Sequence, residues 1–392
     1  MQSYKKTLIL ITALLTGCQK SLFPGGPRYY REPGGLSRGT TDTLTATGTN
    51  SPTLYITALC GDHAVLYADG RELVRVPADP DPERHRARQG HLWTDSIQGK
   101  ETVVCRDGKE LFRFPGEELL AGFLLADGKL HTLGQRPGNQ GFCYRIDGKE
   151  VFSSAIGRIV GSATSREWDA GAFSPDSSGL YYAYAIPFVH SGTTTWEYRI
   201  MKGADTFRVI PDDVSSIILD LRVYRGKVYL AALRGRRLCL VCGGNIQWYR
   251  WLGDSETLLE LGLFPYQGEM GVKGVSSFGR FNYYEAWIQV GEKMVGYHES
   301  IHSATPHALV KDRTEAFWGS IGGKLTWLQL NSRRLPLDYG KYSLMNPLCI
   351  NAFNDTFVAV LSDSSSTEHL ILTDTLSTTL RFNGIPTSVR IE

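Results

Sequence analysis

The chain has 392 residues, of which 42% are hydrophobic and 21% charged, a composition that excludes a fully disordered protein. Its 42 Lys and Arg residues nearly balance its 40 Asp and Glu residues. A general nucleic-acid binder needs a basic surface, so this balance argues against nucleic acid as a partner. The length allows two or three ordinary domains, or one large all-β domain.

Residues 1–17 have the features of a short export signal. Lys5 and Lys6 precede an apolar run of about eight residues, which is too short to cross a bilayer. The run ends in Leu-Thr-Gly directly before Cys18. This ending resembles the lipobox of bacterial lipoproteins, in which the cysteine is acylated and becomes the new N-terminus. The resemblance implies a membrane anchor through a lipid such as palmitate on Cys18. An ordinary signal peptide with a chance cysteine is the alternative.

The residues after Cys18 bear on location. Position 19 is Gln rather than Asp. By resemblance to lipoprotein sorting in Gram-negative bacteria, this favours the outer membrane, with the periplasmic or surface face left open. Residues 18–44 are rich in Gly, Pro, Ser and Thr, which predicts a flexible tether. No later apolar run is long enough to span a bilayer, so we expect an exported domain over residues 45–392.

This domain contains a repeated unit of two β-type runs joined by a tight turn. The clearest copies turn at Asp69-Gly70, Asp107-Gly108 and Asp147-Gly148. Asp-Gly between alternating runs is a strong hairpin signal, because the turn needs positive φ angles. Looser copies turn near positions 202, 243, 290, 331 and 374, which gives a mean period of about 44 residues.

A period of this length with all-strand units predicts an all-β fold, a single β-propeller with four strands per blade. One unit shows all four strands, at 119–126, 129–134, 141–146 and 149–156. The number of repeats favours eight blades, and seven blades with shared terminal strands is the second choice. Residues 387–391 are a candidate for a strand that joins the two ends of the chain and removes exposed edges. Two stacked β-sandwich domains are the rival interpretation.

A short segment supports the propeller. Residues 172–182 read AFSPDSSGLYY and resemble the F-S-P-D-G-x-x-L-Y-Y element of TolB-type propeller repeats, with a different turn sequence. The resemblance implies that this segment joins the first two strands of a blade. It implies a fold and carries no function.

The sharpest catalytic motif is His298-Glu299-Ser300-Ile301-His302, which matches H-E-x-x-H. On a helix, the two histidines would face one way and bind zinc, with Glu299 activating water. The preceding residues, however, lie in register with a blade hairpin, and strand geometry does not bring the two histidines together. We therefore expect no metal site and no cofactor, and keep a zinc-dependent envelope hydrolase using His298, His302 and Glu299 as the alternative.

Six cysteines remain if Cys18 carries lipid, and they permit disulfides without indicating a pairing. Cys239 and Cys242 form a C-x-x-C pattern, which is typical of redox or zinc sites. In a strand these two side chains point to opposite faces, so neither chemistry is expected.

Ligand-binding candidates come from two stretches that read as insertions lengthening the repeat. His190 and Trp196 belong to the first, at residues 189–196, and Tyr266 to the second, at residues 263–270. Long loops on a rigid scaffold are common binding sites, and aromatic rings anchor protein and sugar ligands. With no catalytic residues identified, the leading hypothesis is a non-enzymatic binding or scaffold module for a protein or glycan partner.

Overall fold

The computed structural model describes residues 53–79, 81, 84–160, 172–176, 179–190, 193–210, 216–279, 283–300, 305–311, 314–321, 324–330, 333–334, 342–343, 349–353, 356–363, 365–373 and 377–392. Cys18 and the predicted signal and tether lie outside these ranges, so the lipid anchor and the boundaries at residues 17 and 44 stay predictions. Among the described residues no helix is long and apolar enough to cross a membrane.

Almost every described segment is a β-strand. The strands of the first half are β1 (Leu54–Cys60), β2 (His63–Ala68), β3 (Arg71–Pro77), β4 (His85–Arg88), β5 (His91–Gln98), β6 (Glu101–Arg106), β7 (Lys109–Pro115), β8 (Leu119–Ala126), β9 (Lys129–Gln135), β10 (Phe142–Ile146), β11 (Lys149–Ser154), β12 (Arg158–Ile159), β13 (Ser174–Asp176), β14 (Gly179–His190), β15 (Thr193–Lys202) and β16 (Asp205–Ile210). A 3-10 turn, Pro137–Asn139, joins β9 to β10.

The second half of the chain continues the same pattern. Its strands are β17 (Ser216–Tyr224), β18 (Lys227–Arg234), β19 (Arg237–Cys242), β20 (Asn245–Trp251), β21 (Glu256–Tyr266), β22 (Glu269–Phe278), β23 (Tyr283–Val290), β24 (Lys293–Ser300), β25 (Thr305–Lys311), β26 (Thr314–Ile321), β27 (Lys324–Leu330), β28 (Arg333–Arg334), β29 (Tyr342–Ser343), β30 (Ile350–Phe353), β31 (Thr356–Asp363), β32 (Glu368–Thr373), β33 (Ser377–Arg381) and β34 (Ile385–Ile391).

These strands form eight antiparallel sheets among the described residues, which are the blades of a β-propeller. Blade 1 contains β34, β1, β2 and β3, from its inner to its outer strand. Blades 2 to 8 contain β4–β7, β8–β11, β12–β16, β17–β20, β21–β24, β25–β28 and β29–β33. In blades 4 and 8 two short strands share the inner position, because β12 and β13 both pair with β14, and β29 and β30 both pair with β31. The sequence prediction of eight blades is confirmed.

The last strand closes the ring. β34 pairs antiparallel with β1, so that Val389 lies opposite Ile56, and it contacts the inner strands of blades 2 and 8. Thr57 Oγ1 and Thr387 Oγ1 are 2.7 Å apart across this pairing. The predicted joining of the two ends is therefore correct. It removes an edge that would otherwise expose unpaired backbone groups.

The core lies between adjacent blades, where apolar side chains of facing sheets form seven clusters among the described residues. The largest cluster joins blades 7, 8 and 1, and includes Trp318, Phe357 and Ile56, each at most 1% exposed. Successive side chains of a strand point to opposite faces of the sheet, so a strand in such a ring buries one face against each neighbouring blade. Both faces must then be apolar, which is why long apolar runs occur in this sequence.

The Asp-Gly turns between the third and outer strands of blades 1 to 3 have a second role besides the turn itself. Asp69, Asp107 and Asp147 have φ angles of 46°, 52° and 49°, and each carboxylate accepts the backbone N–H of a leucine in the second strand of its blade, at 2.8–3.0 Å. Each aspartate N–H also donates to the carbonyl of that same leucine. The turn is thus tied to a neighbouring strand, which explains the repeated aspartate.

The outer strands of blades 1 to 6 share a β-bulge. The register with the third strand shifts by one residue in each of these blades, as between Leu66 and Tyr67 in blade 1. A bulge twists the strand and leaves one residue unpaired. It is a common device against the pairing of exposed edges with another chain.

Candidate functional site

The ring has two distinct faces. The turns between the first and second strands lie together, since Arg225 Nη1 in blade 5 donates to the carbonyl of Gly268 in blade 6 at 3.4 Å. Because antiparallel strands alternate in direction, the Asp-Gly turns between the third and outer strands lie on this same side, which we call the Asp-Gly face. The connections between blades and the turns between second and third strands form the opposite connection face.

The two chain segments at the start and end of the described domain meet on the Asp-Gly face. Thr53 N donates to the carbonyl of Glu392 at 2.8 Å. The Glu392 carboxylate accepts the backbone N–H groups of Gln89 and Gly90, in the turn between β4 and β5, at 3.0 Å each. Any segment that precedes Thr53 therefore joins the ring at this face.

The two stretches predicted as loops are strands. Residues 189–190 and 193–196 belong to the strands β14 and β15, in which Pro187 pairs with Trp196 and His190 with Thr193. Residues 263–270 belong to the hairpin of β21 and β22, which turns at 267–268. The extra length that the sequence shows as insertion is taken up by longer strands, so the loop prediction was wrong.

The predicted ligand-binding residues do not form one site. Trp196 and His190 lie towards the connection face of blade 4, whereas Tyr266 precedes a turn on the Asp-Gly face of blade 6. Trp196 packs beside the apolar cluster between blades 4 and 5, and the guanidinium of Arg158 lies 4.6 Å from its ring centroid. Tyr266 is half-buried and contacts Phe264 edge-on, with centroids 6.2 Å apart. The binding role of each stays a prediction.

The H-E-x-x-H motif lies on a strand. His298 pairs with Ala286 and Glu299 with Glu285 in β24 and β23, while His302 falls outside the described residues. Consecutive residues of a strand point to opposite faces, so the helical arrangement that a zinc site of this type needs is not present at His298 and Glu299. Within the described ranges no three His, Cys, Asp or Glu side chains are grouped as metal ligands.

The cysteines of the described domain are all free thiols. They are Cys60, Cys105, Cys143, Cys239, Cys242 and Cys349. Burial raises the pKa of the Cys143 thiol to about 12, and burial also raises the pKa of the Cys239 thiol. A raised pKa leaves little thiolate at neutral pH, so these two residues act as small apolar groups rather than nucleophiles.

One acidic residue outside the predicted sites is deeply buried. Glu118 is fully buried ahead of β8, and both carboxylate oxygens accept from the guanidinium of Arg145, with Nη2 to Oε1 at 3.0 Å. Arg145 is itself buried and stacks on Phe114, 3.9 Å from the ring centroid. Gly134 makes room for the pair, because a Cβ at that position would lie 2.1 Å from Glu118 Oε2. This is a structural ion pair of blade 3 that packs against Phe114 of blade 2.

The most exposed large aromatic residues of the described part of the chain lie on the outer strand of blade 5. Tyr249 and Trp251 are 52% and 60% exposed, and they occupy alternate positions of β20 on one side of the sheet. The guanidinium of Arg237, on β19, lies 4.6 Å from both ring centroids. We call these three residues the Arg–aromatic surface. Among the described residues its guanidinium makes only these two ring contacts, so its N–H donors are available to a ligand.

Sequence reasoning could not distinguish these aromatics from core residues. β20 reads NIQWYRW, with aromatic side chains on both of its faces. Trp248 is buried with Leu240 and Trp287 between blades 5 and 6, whereas Trp251 points to the other side, beyond the cover of blade 4. The exposure of an aromatic side chain on this outer strand depends on whether the neighbouring blade reaches far enough to cover it.

Comparisons with known proteins bear on the fold. No family model matches the chain, and no curated protein matches it either. Among solved structures, dihydro-heme d1 dehydrogenase NirN in complex with DHE is similar at 10% identity and a TM-score of 0.55, over 91% of this chain and 77% of that chain. The β-propeller domain of the trilobed protease from Pyrococcus furiosus matches at 10% identity and a TM-score of 0.39, over 85% of this chain and 95% of that one. With the eight sheets described above, the likeness to NirN supports a β-propeller fold, and at this identity it shows the fold alone.

Proposed function

We propose that this protein is a lipid-anchored β-propeller of the bacterial cell envelope, at the outer membrane, that binds a protein or glycan partner without catalysing a reaction. The anchor and the location rest on the signal-like sequence that ends at Cys18. The binding role rests on the Arg–aromatic surface of blade 5. Exposed Trp, Tyr and Arg side chains are the residue types that most often contribute large binding energies.

The observation that carries the binding role is the exposure of Trp251 and Tyr249 on one side of β20. Single exposed apolar residues are normal on a protein surface, whereas two large rings side by side form an apolar patch that a ligand can cover. Both rings bracket a guanidinium that has no acidic partner among the described residues. A surface with flat apolar faces and free donors is suited to recognition.

The test is retention on envelope material. The full chain, purified with its lipid in neutral detergent, is mixed with an isolated bacterial envelope fraction, and the bound share is measured by sedimentation. We expect the double variant Tyr249→Ser/Trp251→Ser to bind at least about tenfold more weakly, since each buried ring contributes one kcal/mol or more at about 1.4 kcal/mol per factor of ten.

The matched control is Leu73→Ser on β3, because Leu73 is also 52% exposed on an outer strand but lies in blade 1. This control should bind as the parent protein does. Equal retention of the double variant and the control, with unchanged thermal stability, contradicts a binding role for blade 5. The anchor is tested separately by palmitate labelling, which the Cys18→Ala variant should lose.

A further inference from the structure

We infer that the Arg–aromatic surface binds a saccharide that carries carboxylate groups. This inference rests on the binding role proposed above and names the class of its ligand. Arg237 is the residue that determines specificity, and Tyr249 and Trp251 provide the surface on which the sugar rings stack.

The guanidinium of Arg237 is held in a position that suits an anion. It lies 4.6 Å from each of the two ring centroids, so the rings restrict its orientation while its edge remains free. Among the described residues it has no hydrogen bond or ion pair to an acid. A planar guanidinium with free donors binds a carboxylate in a bidentate way, and stacking lowers the entropy lost on binding.

The charge around this surface favours an anion as well. Arg236 and Arg237 are consecutive at the turn between β18 and β19, and the acid near them is Asp254, whose oxygen is 3.6 Å from Arg236 Nε. Asp254 pairs with Arg236 and not with Arg237. The described part of this rim therefore presents a net positive charge next to two aromatic rings.

The form of β20 argues for a sugar rather than a peptide. An extended peptide commonly binds by adding a strand to a sheet edge. Here Leu240 pairs with Trp248 and Val241 with Ile246, so Gln247 is an extra residue that breaks the regular edge. A ligand must then be recognised through side chains. Exposed rings with a polar handle beside them suit the flat apolar faces and polar rims of sugars.

The position of the surface argues against the headgroups of the protein's own membrane. Trp251 lies at the connection-face end of β20, where Leu252 N donates to the carbonyl of Arg236 at 2.8 Å. Thr53, the described residue nearest to the predicted anchor, lies on the opposite Asp-Gly face. The chain therefore enters the ring on the face opposite the Arg–aromatic surface.

The experiment compares two ligands that share the same sugar backbone and differ at the carboxyl group, which is either a free carboxylate or a neutral methyl ester. Oligogalacturonate with free carboxylates and its fully methyl-esterified form are titrated calorimetrically into the full chain in neutral detergent. We expect the acid to bind about tenfold or more tightly than the ester, because a hydrogen bond to a charged group is roughly twice as strong as a neutral one. Arg237→Gln should bind both forms with the weaker affinity, and Trp251→Ala should lose both.

Each other outcome overturns the inference. Equal affinity for acid and ester in the parent protein removes the role of Arg237, and polyglutamate binding as tightly as the acidic sugar shows an acidic peptide to be the ligand class. Vesicles of anionic phospholipid that compete fully with the sugar indicate a headgroup site. If neither sugar binds while blade 5 is still needed for envelope retention, this inference fails and the proposed function stands. If that retention is also independent of blade 5, both fail.

Discussion

Removal of the Glu118 carboxylate should be among the most damaging single changes to this fold. The Glu118→Ala variant leaves the guanidinium of Arg145, which is 3% exposed, without its acid. Breaking a buried ion pair by removing one partner costs about 3–5 kcal/mol, because a charge stays buried without compensation. A second cation also lies near this site, since Arg136 Nε is 3.7 Å from Glu118 Oε1. It adds positive charge and cannot compensate Arg145 once the carboxylate is removed.

The chain offers a matched control at the rim of the adjacent blade. Glu110 and Arg113 form a similar pair, with Nη2 and Oε2 2.7 Å apart, but their side chains are 46% and 36% exposed. Exposed pairs are screened by water, so Glu110→Ala should cause no measurable loss of stability. The two variants remove the same chemical group from neighbouring blades and differ in burial.

Urea unfolding followed by tryptophan fluorescence measures the difference. With an m value of about 3 kcal/mol per M, a loss of about 3–5 kcal/mol moves the midpoint down by about 1–1.7 M. The double variant Glu118→Leu/Arg145→Met should recover most of this loss, because replacing both charges by apolar groups is often neutral. A midpoint for Glu118→Ala equal to that of Glu110→Ala would refute the argument from burial.

Three further predictions follow from the fold. Asp107→Ala should lower the free energy of unfolding by about 1–2 kcal/mol, because the hydrogen bond from Leu92 N–H is lost. Asp107→Asn should retain most of the stability, because its side-chain oxygen can still accept this bond and Asn tolerates a positive φ. Equal melting temperatures for the two variants would contradict this. Deleting residues 385–392 uncovers the edge of β1, so sedimentation velocity should show self-association that rises with concentration, and a stable monomer would refute the closure argument. Burial lowers the pKa of Lys273 to about 7, so between about pH 7 and 10 the unfolded chain binds more protons than the folded one. The free energy of unfolding should therefore rise across this range by at most about 1.4 kcal/mol per pH unit. Lys273→Met should flatten this slope, and a parent protein whose stability does not change with pH is the contrary result.

Much of the architecture could be predicted from local sequence. The Asp-Gly turns need residues that accept positive φ, and the alternating runs beside them can bury side chains only as strands. The unit at residues 119–156 was therefore predicted almost residue by residue, as β8 (Leu119–Ala126) shows. Repetition at a nearly constant spacing predicted the number of blades, because each hairpin pair needs a neighbour to bury its apolar faces.

The candidate site depended on tertiary structure. The burial of Glu118 follows from the pairing of strands in blade 3, which brings Arg145 of β10 to it, and from Phe114 of blade 2, which covers the guanidinium. Trp248 and Trp251 are the same residue type on one strand, yet blade 6 covers the first while blade 4 leaves the second in solvent. The export-signal-like N-terminus and the strand pattern are local properties of the sequence. Which side chains are exposed and which charges are paired is decided by how the strands pair within a blade and how the eight sheets face one another around the ring, and no single segment contains that information.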